Sequence, residues 1–416
     1  MACLTPSHPR RSRTPLNAPY LPTMSLIRSS ALPLLCLMLT ACGTRPLPSV
    51  PATTSPAASA AIVSDAASTA AITAATAVPD TPAISTRILE GNLTPDAYGT
   101  REDARTLALA LAESMALDPQ WVWRALSKAK YKESVTKLMM PASSGTAKNW
   151  GAYRNRFIEP IRIRAGVAFW RQYEADLQRA ESMYGVPASI IAGVLGVETI
   201  YGRNMGNFRV LDVLTTLSLD FPKGRSDRSA FFRSELGQFL KLCQEQQVEP
   251  DSVLGSYAGA IGLPQFMPSS IRRFAIDFDG DGHIDLQRSP VDAIGSVAHY
   301  LAEHGWQADW PAYFEIKPPQ DDQALAKLLA PDIVPSFSAT EMQELGATLS
   351  AKGQNHPGRL ALVLLQNGSD TPTLIAGTAN FYAITRYNQS SYYALAVVQL
   401  GDAVSREATR QNSQTP

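Results

Sequence analysis

Net charge is the first thing this chain lacks. Its 37 basic and 37 acidic residues cancel over 416 positions, so no strong field recruits nucleic acid or anionic lipid, and bulk charge names no partner. Cysteine is almost as scarce where it would matter. Of four, Cys3, Cys36 and Cys42 fall at the very start and only Cys243 lies beyond them. A cut at Cys42 would therefore leave the folded part without a thiol pair, which excludes an intradomain disulfide even on an export route that would permit one. Cys243, within Phe239-Leu-Lys-Leu-Cys243, reads as a buried core thiol rather than a nucleophile. The apolar run Ala31–Leu39 is broken by Pro33 and is too short to span a bilayer. No repeat of solenoid period is present. Hydrophobic residues nevertheless make up 45% of the chain, enough for a substantial core and more than one domain.

Residues 1–42 have the layout of an export signal. Met24 is a better start than Met1, because Arg28 then supplies a positive n-region ahead of the apolar Ala31–Leu39. The signal ends in Leu39-Thr-Ala-Cys42, which resembles the lipobox of bacterial lipoproteins, in which the cysteine is lipidated and becomes the mature N-terminus. The alternative is a plain secretory signal with an incidental cysteine. Gly43 follows, and the absence of Asp there resembles lipoproteins sorted to the outer membrane; lipid chains on Cys42 would then hold the protein on the periplasmic face of that membrane. Residues 43–85 collapse to Ala, Thr, Ser and Pro. Such a stretch buries too little apolar surface to offset its ordering entropy, and it reads as a flexible tether.

From residue 86 to 416 the pattern is mainly α. Apolar residues recur at three- and four-residue spacing over 101–115, 121–127, 167–184, 188–201, 229–245 and 291–304. Between about 310 and 380 the pattern weakens, and Arg359-Leu-Ala-Leu-Val-Leu-Leu365 followed by Asn367-Gly368 reads as a strand entering a turn, within a small β subdomain. Residues 381–400 return to a helical run, Tyr393 to Leu400, preceded by an aromatic-rich loop.

One carboxylate stands out. Glu198 sits in Gly193-Val-Leu-Gly-Val-Glu-Thr-Ile-Tyr-Gly202, on the face that Leu195, Val194 and Ile191 commit to the core. Desolvation there favours the neutral acid and raises its pKa, as a general acid working near neutral pH requires. Pro187 suits the first helical position and Gly202 can close the helix. The alternative is a carboxylate at the helix rim that reaches into solvent or caps a neighbour. No second carboxylate has a comparable setting.

Two later segments add chemistry. In Gly255-Ser-Tyr-Ala-Gly-Ala-Ile-Gly-Leu-Pro-Gln-Phe-Met-Pro-Ser-Ser270, three glycines and two prolines preclude one smooth helix and present Ser256, Gln265, Phe266 and Met267 on a tight backbone. Polar amides and hydroxyls beside an aromatic face suit a sugar ring with N-acetyl groups. In Asp277-Phe-Asp-Gly-Asp-Gly-His-Ile-Asp285, alternating aspartates with glycine at the sixth place reproduce the start of an EF-hand loop, His283 offering its backbone carbonyl. The twelfth position is Arg288 rather than a bidentate Glu, so closure falls to Asp292 in a longer loop, 277–292. The ligand set Asp277, Asp279, Asp281, His283 and Asp292 points to structural Ca2+; the alternative is a solvated acidic turn.

Taken in order, Gly-Val-Glu198-Thr-x-Tyr-Gly, Gly-x-x-Gln-Phe-Met-Pro-Ser-Ser, the Asp-rich loop and Asp292-Ala-Ile-Gly-Ser-Val resemble the membrane-bound lytic murein transglycosylase B family, from Lys130-Tyr-Lys-Glu-Ser134 to Leu400. The resemblance implies a lysozyme-like helical core at about 150–310, an additional helical region and the small β subdomain. It also implies cleavage of the β-1,4 bond between N-acetylmuramic acid and N-acetylglucosamine in peptidoglycan without water, leaving 1,6-anhydromuramic acid ends. Glu198 would be the single acid and base, and catalysis would need no cofactor. Ser256, Gln265, Phe266, Met267, Tyr153, Tyr300, Tyr387, Asn388 and Tyr393 match substrate-cleft positions, although each tyrosine could equally pack in the core with its hydroxyl satisfied. Two places depart from the family pattern: the loop 223–228 is longer, leaving Arg225 and Arg228 ambiguous, and Phe231 stands where tyrosine can occur. Glycan strands and the outer membrane are the implied partners, with proteins of cell-wall synthesis as further candidates. The rival readings are a hydrolytic muramidase on the same fold and a non-catalytic peptidoglycan-binding lipoprotein.

Overall fold

The computed structural model describes residues 97–140 and 148–413. The export signal, Cys42 and the tether lie outside the described residues. Within them no single helix is long and apolar enough to cross a membrane.

Helices dominate, and three of their starts share one sequence signal. Asp118-Pro119, Glu159-Pro160 and Ser289-Pro290 each place a side-chain acceptor at the N-cap and proline at the first helical position. The cap takes an otherwise orphaned N–H, and proline has none to lose. These pairs open the helices Pro119–Lys128, Pro160–Gln172 and Pro290–Glu303. The long stretch 167–184, whose periodicity suggests one helix, is two: Pro160–Gln172 and Glu174–Tyr184. Tyr173 leaves the helical region at φ −118° and ψ 27°. The periodicity reads through the break because Val167, Phe169, Leu177 and Ala180 are all buried. A second revision concerns the end of the chain. The aromatic-rich segment before Tyr393 is not a loop but the helix Ala379–Tyr387, capped by Thr378, and the final helix, Ser391–Asn412, runs well past Leu400.

The small β element is a four-stranded antiparallel sheet in the order Thr348–Leu349, Tyr313–Lys317, Asp370–Gly377, Ala361–Asn367. The hairpin at its edge turns through Gly368, at φ +66°, as Asn-Gly predicts. Short helices Asp322–Leu329 and Ala339–Glu344 pack on this sheet, and Phe314, Ile316, Leu328, Met342, Leu349, Leu360 and Leu362 give it a core of its own.

At the centre of the helical part lies Ala188–Thr199, the helix of Glu198. Every residue from Ile190 to Thr199 is buried, so it is a core helix enclosed on all sides rather than an amphipathic one. Its most extensive partner is the final helix. The two touch backbone to backbone: a Cβ on Gly193 would collide with the Val397 carbonyl oxygen, and one on Gly401 with the Ser189 carbonyl oxygen. Glycine on both helices is what permits this spacing, because any side chain would have to push them apart.

Candidate active site

Glu198 lies in the last turn of its helix and is 8% exposed. Burial raises its carboxyl to about 7 from the ordinary 4.5, against the opposing effect of one hydrogen bond from Tyr393. The Tyr393 hydroxyl donates to Glu198 Oε1 at 2.6 Å. Tyr393 is itself buried, and burial together with the Glu198 carboxylate pushes its phenol well above the usual value, so it stays a donor at all working pH. A hydrogen bond to the charged form favours that form, whereas desolvation disfavours it. Desolvation wins here.

The helix ends abruptly after Glu198. Ile200, Tyr201 and Gly202 follow one another at φ 53°, 56° and 85°, and a β-branched residue in the left-handed region carries about 1–2 kcal/mol of strain. Gly202 therefore does not cap the helix directly; Ile200 does, donating its N–H to the Gly196 carbonyl. Thr199 holds the end in place. Its hydroxyl donates to the Leu263 carbonyl and accepts from the Gly202 N–H, both at 2.9 Å, stitching the acid's helix to the glycine-rich segment. From the other side the buried Arg162 donates through Nε to the Gly196 carbonyl at 2.9 Å.

The glycine-rich segment is as tight as its composition implies. Gly262 has φ +77°, and a Cβ there would strike the Leu286 backbone. Ser256 is buried, and its hydroxyl accepts from the Ala260 N–H at 3.1 Å. Gln265, at φ 50°, spends its amide N–H groups on the Met205 and Gly262 carbonyls, which leaves the side-chain carbonyl to face elsewhere. Phe266 is buried and its ring lies 5.6 Å from Tyr387 and 5.3 Å from Tyr300; Met267 is the half-buried N-cap of the next helix. Tyr387 stacks on Tyr393 at 6.2 Å and donates to the Pro264 carbonyl. Tyr300 gives its hydroxyl to the Arg386 carbonyl at 2.8 Å. Asn388, buried, closes the helix that carries Tyr387. Tyr153 packs with Trp150, Phe157 and Tyr392 and is near enough to act electrostatically on the Tyr393 hydroxyl. Glu198, Tyr393, Tyr387, Phe266 and Tyr300 thus form one continuous wall, with Tyr153 beside it.

The other buried carboxylates are engaged elsewhere. Glu235 accepts from the Ser269 N–H at 3.0 Å and its hydroxyl at 2.6 Å, capping the helix Pro268–Phe274. Asp212, fully buried, accepts from the Lys130 N–H at 3.0 Å, with Lys132 and Arg209 each 3.7 Å away. Neither influences Glu198, whose shift has burial and Tyr393 as its causes.

In the acidic loop, Asp277, Asp279 and Asp292 each bring a carboxylate oxygen within 4.8 Å of the others. Asp281 is outside that group and accepts from the His283 N–H. Asp292, buried, also accepts from the Phe278, Asp279 and Asp285 N–H groups, which fixes the loop to the helix Pro290–Glu303. In the loop 223–228, Arg225 donates to the Met139 carbonyl and Arg228 lies 4.5 Å over the Phe231 ring. Sequence reading missed Arg162, Thr199, Tyr392 and Glu235. The first two act through backbone carbonyls, which no spacing rule encodes.

These features define a buried single-acid site on a helical core with an appended β element. Residues 100–402 match the family model described as the transglycosylase SLT domain, and the chain belongs to that family. It is 39% identical over 322 residues to the membrane-bound lytic murein transglycosylase B of Escherichia coli (strain K12), covering 74% of this chain and 84% of that protein. The structure resembles the Escherichia coli lytic transglycosylase SLT35, solved in complex with bulgecin A, at 38% identity and a TM-score of 0.66 over 75% of this chain and 95% of that one. SLT35 has also been solved in complex with calcium, at 39% identity and a TM-score of 0.64, with 75% of this chain and 95% of that one covered. Pseudomonas aeruginosa SltB3 in complex with NAG-NAM-pentapeptide is 30% identical, with a TM-score of 0.62 over 73% of this chain and 79% of that one. The fold is lysozyme-like and mainly helical, as expected.

A raised carboxyl pKa carries a stability signature. Below about pH 4.5 Glu198 is protonated in folded and unfolded chains alike; between 4.5 and 7 the unfolded chain releases the proton and the folded one keeps it, so stability falls as pH rises. Glu198→Gln keeps an acceptor for Tyr393 and removes this loss. Thermal unfolding of the two proteins across pH should show the variant's advantage growing between pH 4.5 and 7, by on the order of 3 kcal/mol, and levelling off above; an advantage independent of pH would contradict the assignment.

Proposed function

We infer that the chain is a peptidoglycan lytic transglycosylase. It acts on the β-1,4 bond between N-acetylmuramic acid and N-acetylglucosamine, and Glu198 is its one acid and base. The observation that carries this reading is a desolvated carboxyl group near pKa 7, held by a buried tyrosine, with no second carboxylate acting on it among the described residues. Glycosidases that deliver water or form a covalent intermediate use two carboxyl groups. A lone one must do both jobs. Protonated Glu198 gives its proton to the departing glycosidic oxygen as positive charge develops at C1 of the muramoyl sugar. The carboxylate so formed, stabilised by the Tyr393 hydroxyl, then takes the proton from the sugar's C6 hydroxyl as that oxygen attacks C1. The ring closes, Glu198 is protonated again and no water is consumed. The substrate's N-acetyl group can support the cation before closure.

Of the aromatic wall, Tyr387 is the half-buried ring that can offer a face to a sugar, backed by the buried Phe266, Tyr300 and Tyr393, with Met267 and Tyr153 at its margins. Ser256, Gln265 and Asn388 supply polar edges, Gln265 through its carbonyl. Tyr300 and Tyr387 have committed their hydroxyls to backbone carbonyls, so Tyr387 serves as a rigid face more than as a donor and the buried Tyr300 supports it from behind. Membership of a family with a membrane-bound relative supports the reading of Cys42 as a lipidation site, the outer membrane's periplasmic face as the location, and the segment 43–85 as the reach between anchor and wall. Proteins of cell-wall synthesis are the remaining candidate partners.

Ca2+ fits the acidic loop, because clustered carboxylate oxygens suit a hard cation and would repel one another without it. Asp277, Asp279 and Asp292 would hold it, with Asp281 and the His283 carbonyl as further ligands of the same loop. It would supply no chemistry, only rigidity. Removal of divalent cations with a chelator should lower the melting temperature, and added Ca2+ should restore it in the wild type but not in Asp277→Asn; a melting temperature indifferent to both would refute the site.

Digestion of purified sacculi tests the activity itself. Mass spectrometry should find fragments ending in anhydromuramic acid, lighter by one water than reducing ends, and Glu198→Gln should lower their release by at least about 1,000-fold. Reducing ends alone would establish a hydrolytic muramidase instead.

A further inference from the structure

A cavity of about 550 Å3 opens at the far end of the Glu198 helix, between its first turn, the final helix and the β sheet. It is not an extension of the cleft. Ser189 and Ile190 line it, and Ser189 precedes Glu198 by nine residues, about 13 Å of helix rise. On the final helix, Asp402 lines it and follows Tyr393 by the same number of residues. The volume suits a ligand of disaccharide size.

The lining has the chemistry of a sugar site. Trp306, Trp310 and Tyr313 bring three aromatic rings to one cavity. Trp306 is buried and its indole N–H is fixed on the Gly185 carbonyl at 2.9 Å, so the ring is a rigid wall. Trp310 is held edge-on against the His356 ring at 4.5 Å. Around these faces stand polar and charged groups. They are the Trp310 indole N–H, the exposed Glu315 carboxylate and Lys352 ammonium, and the Asp402 carboxylate, on which Arg406 acts from one turn further along the helix. Asp402 is half-buried, and burial holds its carboxyl above the ordinary range. Carboxylates that accept from paired hydroxyls, beside flat apolar faces that meet the C–H side of a pyranose, recognise a carbohydrate better than an apolar ligand, which would leave those polar groups unpaired.

We propose that this cavity is a second glycan-binding site, taking an N-acetylhexosamine disaccharide unit of a strand other than the one in the cleft. The proposal rests on the peptidoglycan reading above for its substrate class. Glycan rings lie on Trp310 and Tyr313, Asp402 and Glu315 accept from ring hydroxyls, and Lys352 stands at the mouth for a muramoyl or peptide carboxylate. A site so placed keeps the enzyme on the wall between cleavages while the cleft releases one strand and takes the next.

The probe is chitotetraose, titrated into the full chain carrying Glu198→Gln and labelled with 5-fluorotryptophan. The fluorine resonances of Trp306 and Trp310, identified by their loss in Trp→Phe variants, should shift on saturation. Asp402→Asn, which alters no packing volume, should weaken that response about tenfold, and Trp310→Ala should weaken sacculus binding by a similar factor. In the Glu198 protein, Asp402→Asn should leave the turnover of short soluble muramoyl fragments unchanged while slowing the digestion of intact sacculi. Should neither resonance move while chitotetraose still binds, or should Asp402→Asn change nothing, the second site is refuted. The activity can fail separately: reducing ends in place of anhydro ends would overturn the transglycosylase reading yet leave the Trp310 response in place.

Discussion

Two helices in backbone contact hold this site together. Gly193 and Gly401 let the helix of Glu198 and the final helix approach until carbonyl oxygen meets Cα, and at that separation the Tyr393 hydroxyl reaches Glu198 Oε1 at 2.6 Å. The contact joins residues 195 positions apart, so the acid is complete only when the end of the chain has folded onto its middle. The same packing removes water from the carboxyl group. Burial and positioning therefore have one cause, which is why the group both keeps its proton up to about pH 7 and is fixed in direction.

In the proposed reaction a single carboxylate sets the chemistry. It must be acidic enough to give up a proton and basic enough to take one back, and a pKa of about 7 balances the two demands at neutral pH. Burial alone would raise the value further, and the Tyr393 hydrogen bond restrains it. Thr199 and Arg162 meanwhile secure the helix end, where Ile200 and Tyr201 accept left-handed backbone that few side chains adopt. Strain held next to a reacting group keeps that group from drifting, and the surrounding hydrogen bonds over-determine the geometry.

Much of this was legible in the sequence. Glu198 stood out because a carboxylate in an apolar helix needs a reason, and the glycines of 255–262 announced a close-approach loop that the structure contains. Helix starts were less legible: periodicity began two helices late, at 121 and 167 instead of Pro119 and Pro160, and Pro187 is the N-cap of Ala188–Thr199 rather than its first residue. What stayed hidden was tertiary. Periodicity could not report the break at Tyr173, because both helices bury the same kind of residue on either side of it. The aromatic-rich segment 379–387 looked irregular because its rings serve a wall and not a stripe. Arg162 and Thr199 bind backbone carbonyls, and nothing in their local sequence names those partners. In the acidic loop the aspartate spacing was plain, whereas only the fold could bring Asp277, Asp279 and Asp292 within 4.8 Å and leave Asp281 outside.

The pairing of Glu198 with Tyr393 is open to direct titration. With 13C-labelled glutamate, the Glu198 carboxyl resonance, identified by its absence in Glu198→Gln, should titrate near pH 7 in the wild type. In Tyr393→Phe it should titrate higher, because the hydroxyl that favours the charged form is gone. Titration near 4.5 in the wild type, or an unchanged midpoint in the variant, would contradict the account at its centre.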